Sequence, residues 1–259
     1  MKQSHCLNSE ILKACDIRGI VERELNERDA YFIGRSYGTV LARKKLKRCV
    51  LGYDGRLSSL NLSESFIRGL IESGIHVINL GLVPTPLVYF ALYHLNADAA
   101  VIVTASHNPP EYNGFKVLTQ EGPFHGETLR KLGVLCSQGD FTEAEGRLES
   151  MNLINEYITY LGTFVDDPPG GQPGMKGLSV VWDPGNGAAA AVLAPFLASL
   201  PGHHTSICDE VDGRFPHHHP DPSLEQNMMH LRDAVAKTGA DLGIAFDGDG
   251  DRIGVVDSE

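Results

Sequence analysis

Three aspartates stand at alternate positions near the end of the sequence, separated by single glycines: Asp247, Asp249 and Asp251. Apolar runs, residues 242–246 and 253–256, flank them on both sides and would hold the three carboxylates close together. Like charges at short range repel one another unless a cation compensates them. Carboxylate oxygens without cysteine or histidine beside them favour a hard ion such as Mg²⁺ over Zn²⁺. The pattern therefore predicts a magnesium site.

A solvated acidic hairpin turn is the simpler alternative for this segment, but the apolar flanks argue against it. An EF-hand calcium loop does not fit either. That motif needs a glycine directly after the third aspartate and a glutamate at its last position, and this sequence has Arg252 and Ser258 there. Magnesium remains the preferred interpretation.

A serine followed by a histidine forms the second candidate site. The apolar run of residues 100–103 predicts a buried strand, and Ser106 and His107 come just after it. Pro109 and Pro110 then prevent the strand from continuing and an immediate helix from starting. The Ser106 hydroxyl is therefore expected on a stiff loop, where it could act as a nucleophile. Taken alone, the pair is more typical of an ordinary serine turn.

Two further segments supply positive charge that could neutralise a phosphate. Asn113 and Gly114 predict a sharp turn, and Lys116 close behind them offers an ammonium group that could bind phosphate or transfer protons. Arg18, within residues 15–19, offers a guanidinium, the side chain best shaped for bidentate phosphate contact. Together with the serine and the aspartates, these residues indicate phosphate chemistry.

Four segments of the chain resemble the alpha-D-phosphohexomutases, and among them the phosphomannomutase/phosphoglucomutase branch. They are residues 13–19, residues 52–56, residues 104–109 with 113–116, and residues 246–252. Their order along the chain also matches, and the resemblance covers essentially all 259 residues. The combination of a serine loop with a triple-aspartate loop is highly specific.

The resemblance implies a phosphoserine enzyme. Ser106 would donate its phosphoryl group to a hexose phosphate, and the bisphosphorylated sugar would then return its other phosphate to the serine. Hexose 1-phosphate and hexose 6-phosphate, of mannose, glucose or both, would interconvert, with a hexose 1,6-bisphosphate as activator. One Mg²⁺ ion would be held by the three aspartates and Ser106. His107, Lys116, Arg18 and Arg252 would surround the phosphate, with either Lys116 or His107 as general acid-base.

The sequence departs from the family pattern in two places. Cys15 stands where many relatives carry an aromatic residue, which puts one sugar contact in doubt. The family has four domains, and the sugar-selecting loop of the third and the phosphate-gripping loop of the fourth are absent. We therefore expect the N-terminal half of a longer enzyme, with residues 1–150 as domain 1 and residues 151–259 as domain 2. Its partners would be the missing C-terminal domains, and full turnover by this half alone is not expected.

Two other functions fit parts of the pattern. A phosphatase of the haloacid dehalogenase type would use an aspartate of an Asp-x-Asp motif as nucleophile. It would leave Ser106 unused, and it expects a threonine or valine pair where Gly250 and Asp251 stand. A sugar-phosphate or Mg²⁺ binding module without catalysis is the other alternative. Phosphate labelling of an aspartate would favour the first, and binding without phosphoserine turnover the second.

The composition is typical of an intracellular globular enzyme. With 259 residues, 42% of them hydrophobic, the chain can form two cores. No apolar run approaches a membrane span and no signal-peptide pattern begins the sequence, so we expect a cytoplasmic location. Five scattered cysteines predict free thiols. A net charge of -11 argues against nucleic-acid partners and against anionic membrane surfaces.

Helical and strand patterns alternate along the chain. Helices are predicted near residues 27–45, 60–73, 86 onward, 155–164 and 226–238, and strands near 49–53, 76–80, 100–103, 178–182, 204–208 and 242–246. The Pro- and Gly-rich residues 166–177 are expected to connect a helix to a strand. The alternation predicts an α/β fold with two consecutive alternating α/β domains, whose mixed, mainly parallel sheets are sandwiched by helices. Such folds bind ligands at the carboxyl ends of strands, where Ser106 and the aspartates fall.

Two other polar segments have plain structural interpretations. Asp54 and Arg56 follow a predicted strand and fit a salt-bridged turn, with a supporting role near the site as the alternative. His217, His218 and His219 are consecutive, so they cannot all face one metal ion. We expect them to have a structural role in a loop.

Overall fold

The computed structural model describes residues 3–166 and 177–257. The first part of the chain forms one sheet from seven strands: β1 (Ile17–Ile20), β2 (Arg48–Tyr53), β3 (His76–Leu82), β4 (Ala99–Val103), β5 (Tyr112–Thr119), β6 (Gly122–Pro123) and β7 (Arg147–Ser150). Their order is β1-β5-β4-β2-β3-β7, with β6 paired to β5. Strands β4, β2, β3 and β7 run parallel, whereas β5 runs antiparallel to both β1 and β4.

Helices cover both faces of this sheet because successive side chains of each strand point to opposite sides. The helices are α1 (Glu27–Arg43), α2 (Ser59–Glu72), α3 (Thr85–His94), α4 (Glu127–Gln138) and α5 (Ile154–Asp166). Along β2, Cys49 and Leu51 join the buried cluster beneath α1, α2 and α4. Val50 between them joins the cluster beneath α3 and α5. The sheet therefore has an apolar core on each side.

The second sheet has four strands in the order β11-β10-β8-β9: β8 (Ser179–Asp183), β9 (His203–Ser206), β10 (Leu242–Phe246) and β11 (Ile253–Asp257). Only β11 runs antiparallel to its neighbour. Helices α6 (Ala190–Ser199) and α7 (Met229–Thr238) cover opposite faces. Leu193 of α6 packs with Val180 and Trp182, and Leu231 of α7 packs with Val181. The predicted fold class, two α/β units with mixed, mainly parallel sheets between helices, is confirmed.

Several elements differ from the sequence-based expectations. Strands β1, β5, β6, β7 and β11 were not predicted. The sharp turn predicted at Asn113 and Gly114 is wrong, because both residues lie within β5 and pair with β1.

Helix α3 begins at Thr85, so that Pro86 lies in its first turn, where a missing N–H costs no intrahelical hydrogen bond. The helix predicted over residues 226–238 is divided, because a 3-10 helix, Glu225–Met228, precedes α7. No helix was predicted over the residues that form α4. Its buried residues Leu129, Leu132 and Cys136 recur at helical spacing, so the signal for this helix was present in the sequence.

Helix α5 lies between the two sheets. Its Tyr157 ring is 5.4 Å from Phe90 of α3, and Val192 of α6 belongs to the same buried cluster as Tyr157. The division predicted near residue 151 stays a prediction, and residues 167–176 of the predicted connection lie outside the described residues.

All five cysteines are free, as predicted. No helix within residues 3–166 and 177–257 has the length and apolar character needed to cross a membrane.

Candidate functional site

The carboxyl ends of parallel strands bring the parts of the site together. Strands β2 and β4 are parallel neighbours, so Asp54 and Thr104, directly after them, lie side by side; Thr104 Oγ1 donates to Asp54 Oδ2 at 2.7 Å. We call residues 104–111, which follow β4, the serine loop. Residues 247–252, which follow β10 in the second sheet, are the aspartate loop. The two loops meet, as expected for ligand sites at the strand ends of such folds.

Ser106 is held in an uncommon backbone conformation. Its φ of 52° lies in the left-handed region, which residues other than glycine seldom adopt. Its N–H donates to Thr104 Oγ1 at 2.8 Å, and the residue is buried. Asn108 N–H donates to Ala105 O at 3.0 Å, which tightens the loop around the serine. The side chain is therefore presented in one direction.

The aspartate loop turns back on its own first carboxylate. The N–H groups of Asp251 and Arg252 donate to Asp247 Oδ1 at 3.0 and 3.1 Å. A Cβ atom added to Gly248 would lie 2.4 Å from Ser106 O, so this position needs glycine because the serine loop approaches so closely. The spacing of aspartates and glycines thus fits both the turn and the contact.

Direct hydrogen bonds join the two loops. Ser106 Oγ donates to Asp247 Oδ2 at 2.7 Å. Thr85, at the start of α3, donates to Asp249 twice: its N–H to the carbonyl oxygen at 2.9 Å and its Oγ1 to Oδ2 at 2.6 Å. Residues of the first sheet's unit therefore hold carboxylates of the second.

Within the described part of the chain, two cations lie among the aspartates: Arg252, 3.1 Å from Asp247 Oδ2, and Lys116 on β5. The Nζ of Lys116 is 2.7 Å from Asp249 Oδ2 and 2.6 Å from Asp251 Oδ2. Burial works against the charged ammonium, but both carboxylates raise the pKa of Lys116 overall. Burial likewise opposes the charged form of Asp249, yet Lys116 lowers the pKa of this carboxyl overall. Burial and the charge of Asp249 raise the pKa of Asp247 to about 7, although Ser106 donates to it and Arg252 Nη2 lies 3.1 Å from its Oδ2.

The three carboxylates are suited to hold a metal ion. Ligand oxygens of Asp247, Asp249 and Asp251 lie within 4.8 Å of one another. Asp249 Oδ1 is buried and has no hydrogen-bond partner among the described residues. Leaving a buried charged oxygen without a partner is costly, and a bound cation would remove that cost. With oxygen donors alone, the arrangement fits Mg²⁺.

The remaining predicted residues lie around the serine hydroxyl. Arg252 Nη2 contacts both Ser106 Oγ and His107 Nδ1, and His107 Nδ1 is 3.4 Å from Ser106 Oγ. Burial and then the charge of Arg252 lower the pKa of His107. Arg18 reaches the serine loop at Asn108, where its Nη1 donates to Oδ1 at 2.6 Å. The structure brings every predicted site residue to this place, and their roles stay predictions.

The sequence patterns did not predict the role of Thr85, and they left the role of Asp54 and Arg56 open. Thr85 follows a strand and precedes Pro86, which is an ordinary helix start, and no local signal marks it. Asp54 and Arg56 form the predicted salt bridge and also lie close enough to support the site. Arg56 Nε is 3.1 Å from Asp54 Oδ2, which is the salt bridge, and Arg56 Nη2 donates to Ser106 O at 2.8 Å, which supports the site.

A second group of potential ligands lies near the end of β8. Ligand atoms of Asp183, Cys208 and His218 lie within 4.8 Å of one another. His218 Nε2 is 2.8 Å from Asp183 Oδ2, and although burial opposes the charged ring, Asp183 raises the pKa of His218 to about 10. His218 is therefore protonated at neutral pH and pairs with Asp183. His217 contacts Asn186 Oδ1 instead, at 2.7 Å, so the histidine triplet is dispersed within the loop.

Two family models match the chain. Residues 9–138 match alpha/beta/alpha domain I of the phosphoglucomutase/phosphomannomutase family, and residues 155–259 match alpha/beta/alpha domain II. The first match contains the serine loop, and the second contains the aspartate loop.

Individual proteins show the same similarity. The chain is 40% identical over 250 residues to a phosphomannomutase/phosphoglucomutase of Pseudomonas putida, covering 96% of this chain and 52% of that protein. It is 39% identical over 250 residues to a phosphoglucomutase of Neisseria gonorrhoeae, covering 96% and 53%. The crystal structure of a Burkholderia thailandensis phosphoglucomutase/phosphomannomutase family protein superposes with a TM-score of 0.90 at 32% identity, covering 97% of this chain and 55% of that one. The chain spans about half the length of the curated relatives it matches.

Proposed function

The chain belongs to the phosphoglucomutase/phosphomannomutase family, and on that premise we propose that Ser106 accepts and donates a phosphoryl group in the interconversion of hexose phosphates. The reaction would relate a hexose 1-phosphate to a hexose 6-phosphate through a phosphoserine and a bisphosphorylated sugar. Mannose and glucose phosphates are the candidate substrates, because the similar proteins are phosphomannomutases and phosphoglucomutases.

One observation carries the proposal: Ser106 Oγ donates to Asp247 Oδ2 at 2.7 Å, across the boundary between two sheets. A serine hydroxyl and a carboxylate cluster from distant parts of the chain thus lie at one point, which supports the proposal. Phosphoryl transfer depends mainly on positioning and on compensation of the phosphate charge. The arrangement offers both, since the backbone of Ser106 is held by hydrogen bonds, Arg252 contacts its hydroxyl, and Lys116 pairs with the neighbouring Asp249.

Asp247, Asp249 and Asp251 would hold Mg²⁺, with Ser106 as a further ligand. The buried, unpartnered Asp249 Oδ1 is the observation that supports this assignment. When bound, the ion would supply positive charge to the transferring phosphoryl group.

Protons and charges are handled by neighbouring side chains. As the bond from phosphorus to Ser106 Oγ forms and the bond to the sugar oxygen breaks, the hydroxyl proton must leave Ser106 and the released sugar oxygen must take up one proton to become a hydroxyl. In this structure the hydroxyl donates to Asp247 Oδ2. Because Asp247 is assigned to the metal, we assign removal of the proton to His107, whose Nδ1 is 3.4 Å from Oγ and accepts from Arg252 Nη2. Lys116, which donates to two carboxylates, is assigned to charge compensation. Arg18 would orient the loop and phosphate through Asn108.

Because the chain spans about half the length of its relatives, we expect it to exchange phosphate at Ser106 without completing the mutase cycle. A coupled assay for glucose 6-phosphate formed from glucose 1-phosphate, with a full-length relative as positive control, measures this directly. Turnover comparable with that of the relative would contradict the expectation.

The proposal is tested by phosphopeptide mapping with mass spectrometry, before and after incubation with glucose 1,6-bisphosphate and Mg²⁺. We expect phosphate on Ser106 in the wild type and its complete loss in Ser106→Ala. Ser137→Ala, which removes an exposed hydroxyl of α4, is the matched control and should leave labelling unchanged. Phosphate on Asp247 or Asp249 would instead indicate an aspartate nucleophile. An unlabelled Ser106 under both conditions, with bisphosphate still bound, would indicate a binding module.

A further inference from the structure

Arg56 lies in the turn after β2, next to the strand end from which the serine loop starts. Its side chain is 0% exposed. A guanidinium has five N–H donors, and a buried charged group is costly unless its donors find acceptors. Asp54 Oδ2 accepts from Nε at 3.1 Å, which accounts for the first donor.

The four remaining hydrogen bonds of Arg56 all reach backbone carbonyl oxygens of one segment. Nη2 donates to Ser106 O at 2.8 Å and to Asn108 O at 2.6 Å. Nη1 donates to Pro109 O at 2.6 Å and to Tyr112 O at 3.0 Å. These carbonyls belong to the serine loop and to the first residue of β5. One buried side chain therefore supplies the hydrogen bonds that helix or sheet would provide elsewhere.

A closed ring of hydrogen bonds surrounds the backbone of Ser106. Thr104 Oγ1 accepts from Ser106 N–H at 2.8 Å and donates to Asp54 Oδ2 at 2.7 Å. Asp54 pairs with Arg56, which returns to Ser106 O. The peptide groups before and after Ser106 are thus both held, which maintains its φ of 52°. The ring binds the backbone and leaves the hydroxyl to face Asp247.

The second sheet's unit packs against the same guanidinium. The ring of Phe215, in the segment between β9 and α7, is buried and lies 5.3 Å from Arg56 Cζ. Gly213 approaches so closely that an added Cβ would lie 2.7 Å from Arg56 Cα. Displacement of Arg56 would therefore disturb the serine loop and its alignment with the unit that carries the aspartates.

We propose that Arg56 is a positioning residue, which directs the Ser106 hydroxyl toward Asp247 without contacting the reacting atoms. The consequence for catalysis rests on the proposed phosphoryl transfer at Ser106, whereas the consequence for loop order does not. Lysine cannot replace arginine here, because an ammonium has three donors on one atom and cannot reach five acceptors spread around a planar fork.

The test compares Arg56→Lys with Arg35→Lys. Arg35 is also buried, at 4% exposure, and its partners are Glu72, Glu143 and the carbonyl of Thr142. Both variants lose a buried guanidinium, so urea unfolding should show a similar loss of stability. Hydrogen–deuterium exchange of peptides from the serine loop and the rate of Ser106 labelling by glucose 1,6-bisphosphate are then measured.

Arg56→Lys should speed exchange in the serine loop roughly tenfold, the effect of losing one strong hydrogen bond, and slow labelling roughly 100-fold through misplacement of the hydroxyl. Arg35→Lys should change neither. Loop exchange and labelling that are the same in both variants would overturn the proposal. If the wild type takes up no phosphate, the proposed function fails, and the exchange comparison still decides whether Arg56 holds the loop.

Thr104→Val provides the second variant, should Arg56→Lys not fold. It breaks the same ring on its opposite side by removing the bonds to Ser106 N–H and to Asp54. Faster exchange in the serine loop would support the ring, and exchange equal to that of the wild type would contradict it.

Discussion

The serine loop and the aspartate loop meet at one point but are stabilised in opposite ways. The serine loop is held through its backbone, by Arg56 and Thr104 of its own unit. The aspartate loop concentrates negative charge, and its carboxylates depend on Lys116 and Thr85, which belong to the other unit. The backbone of the serine loop is therefore fixed from within its own unit, whereas the aspartate loop combines its own Arg252, 3.1 Å from Asp247 Oδ2, with Lys116 and Thr85 of the other unit.

This difference corresponds to what each loop would do. A nucleophile gains rate from a fixed direction, which hydrogen bonds to the backbone can supply. A cation site needs unsatisfied negative charge, which burial makes costly until the ion binds. The raised pKa of Asp247 and the unpartnered oxygen of Asp249 are signs of that cost.

Removing Lys116 should have the largest effect on the stability of the aspartate loop. Lys116→Met leaves Asp249 buried without its cation, so the metal-free protein should lose about 3–5 kcal/mol of unfolding free energy. Urea denaturation with EDTA measures it. Lys44→Met, which removes the exposed pair with Glu121, is the control and should cost less than about 1 kcal/mol. Equal losses in the two variants would mean that the aspartate loop does not depend on the other unit.

Neutralising one aspartate should weaken metal binding without disturbing the serine loop. Asp249→Asn keeps the shape of the side chain but removes a charged ligand, and we expect Mg²⁺ affinity to fall roughly 100-fold, or about 2.7 kcal/mol. Isothermal titration calorimetry measures the affinity. Asp233→Asn, on the exposed face of α7, should bind as the wild type does. Unchanged affinity in Asp249→Asn would show that Mg²⁺ binds outside this loop.

The charge of Asp247 should make metal stabilisation depend on pH. Its pKa is about 7 in the folded metal-free protein, against about 3.9 for an ordinary aspartate, so the folded state binds more protons than the unfolded state between these values. Metal-free stability should therefore fall as pH rises through this window. Mg²⁺ should restore roughly 2 kcal/mol more at pH 8 than at pH 5. Thermal unfolding with and without Mg²⁺ measures it, and Asp247→Asn should abolish the difference.

The smallest expected effect concerns the neutral contact between the units. Thr85→Val removes the hydroxyl that donates to Asp249 Oδ2 and keeps the backbone contact, so the loss should be about 1.5 kcal/mol. Thr238→Val, at the end of α7, has a local hydrogen bond and should stay within about 0.5 kcal/mol of the wild type. A Thr85→Val protein as stable as the wild type would show that charge alone holds the aspartate loop.

Much of the fold and of the site was predictable because its signals are local. The alternation of helical and strand patterns predicted two α/β units, and strand ends located Ser106 and Asp247. Other features were not predicted. Helix α4 was missed although Leu129, Leu132 and Cys136 recur at helical spacing. Asn113 and Gly114, typical turn residues, lie instead in the strand that carries Lys116, because pairing with β1 and β4 overrides their local preference. Thr85 looks like any residue before a helical proline.

The sequence by itself determined the chemistry that is available: three alternating aspartates that need a cation, a serine on a proline-stiffened loop, and nearby basic residues. These follow from residue type and short spacing, which constrain local geometry directly. The tertiary structure alone decided which groups meet. The 2.7 Å contact of Ser106 with Asp247 and the five hydrogen bonds of Arg56 depend on strand order and on the packing of two sheets. Contacts between residues distant in sequence arise from burial of both cores together, which no short segment encodes.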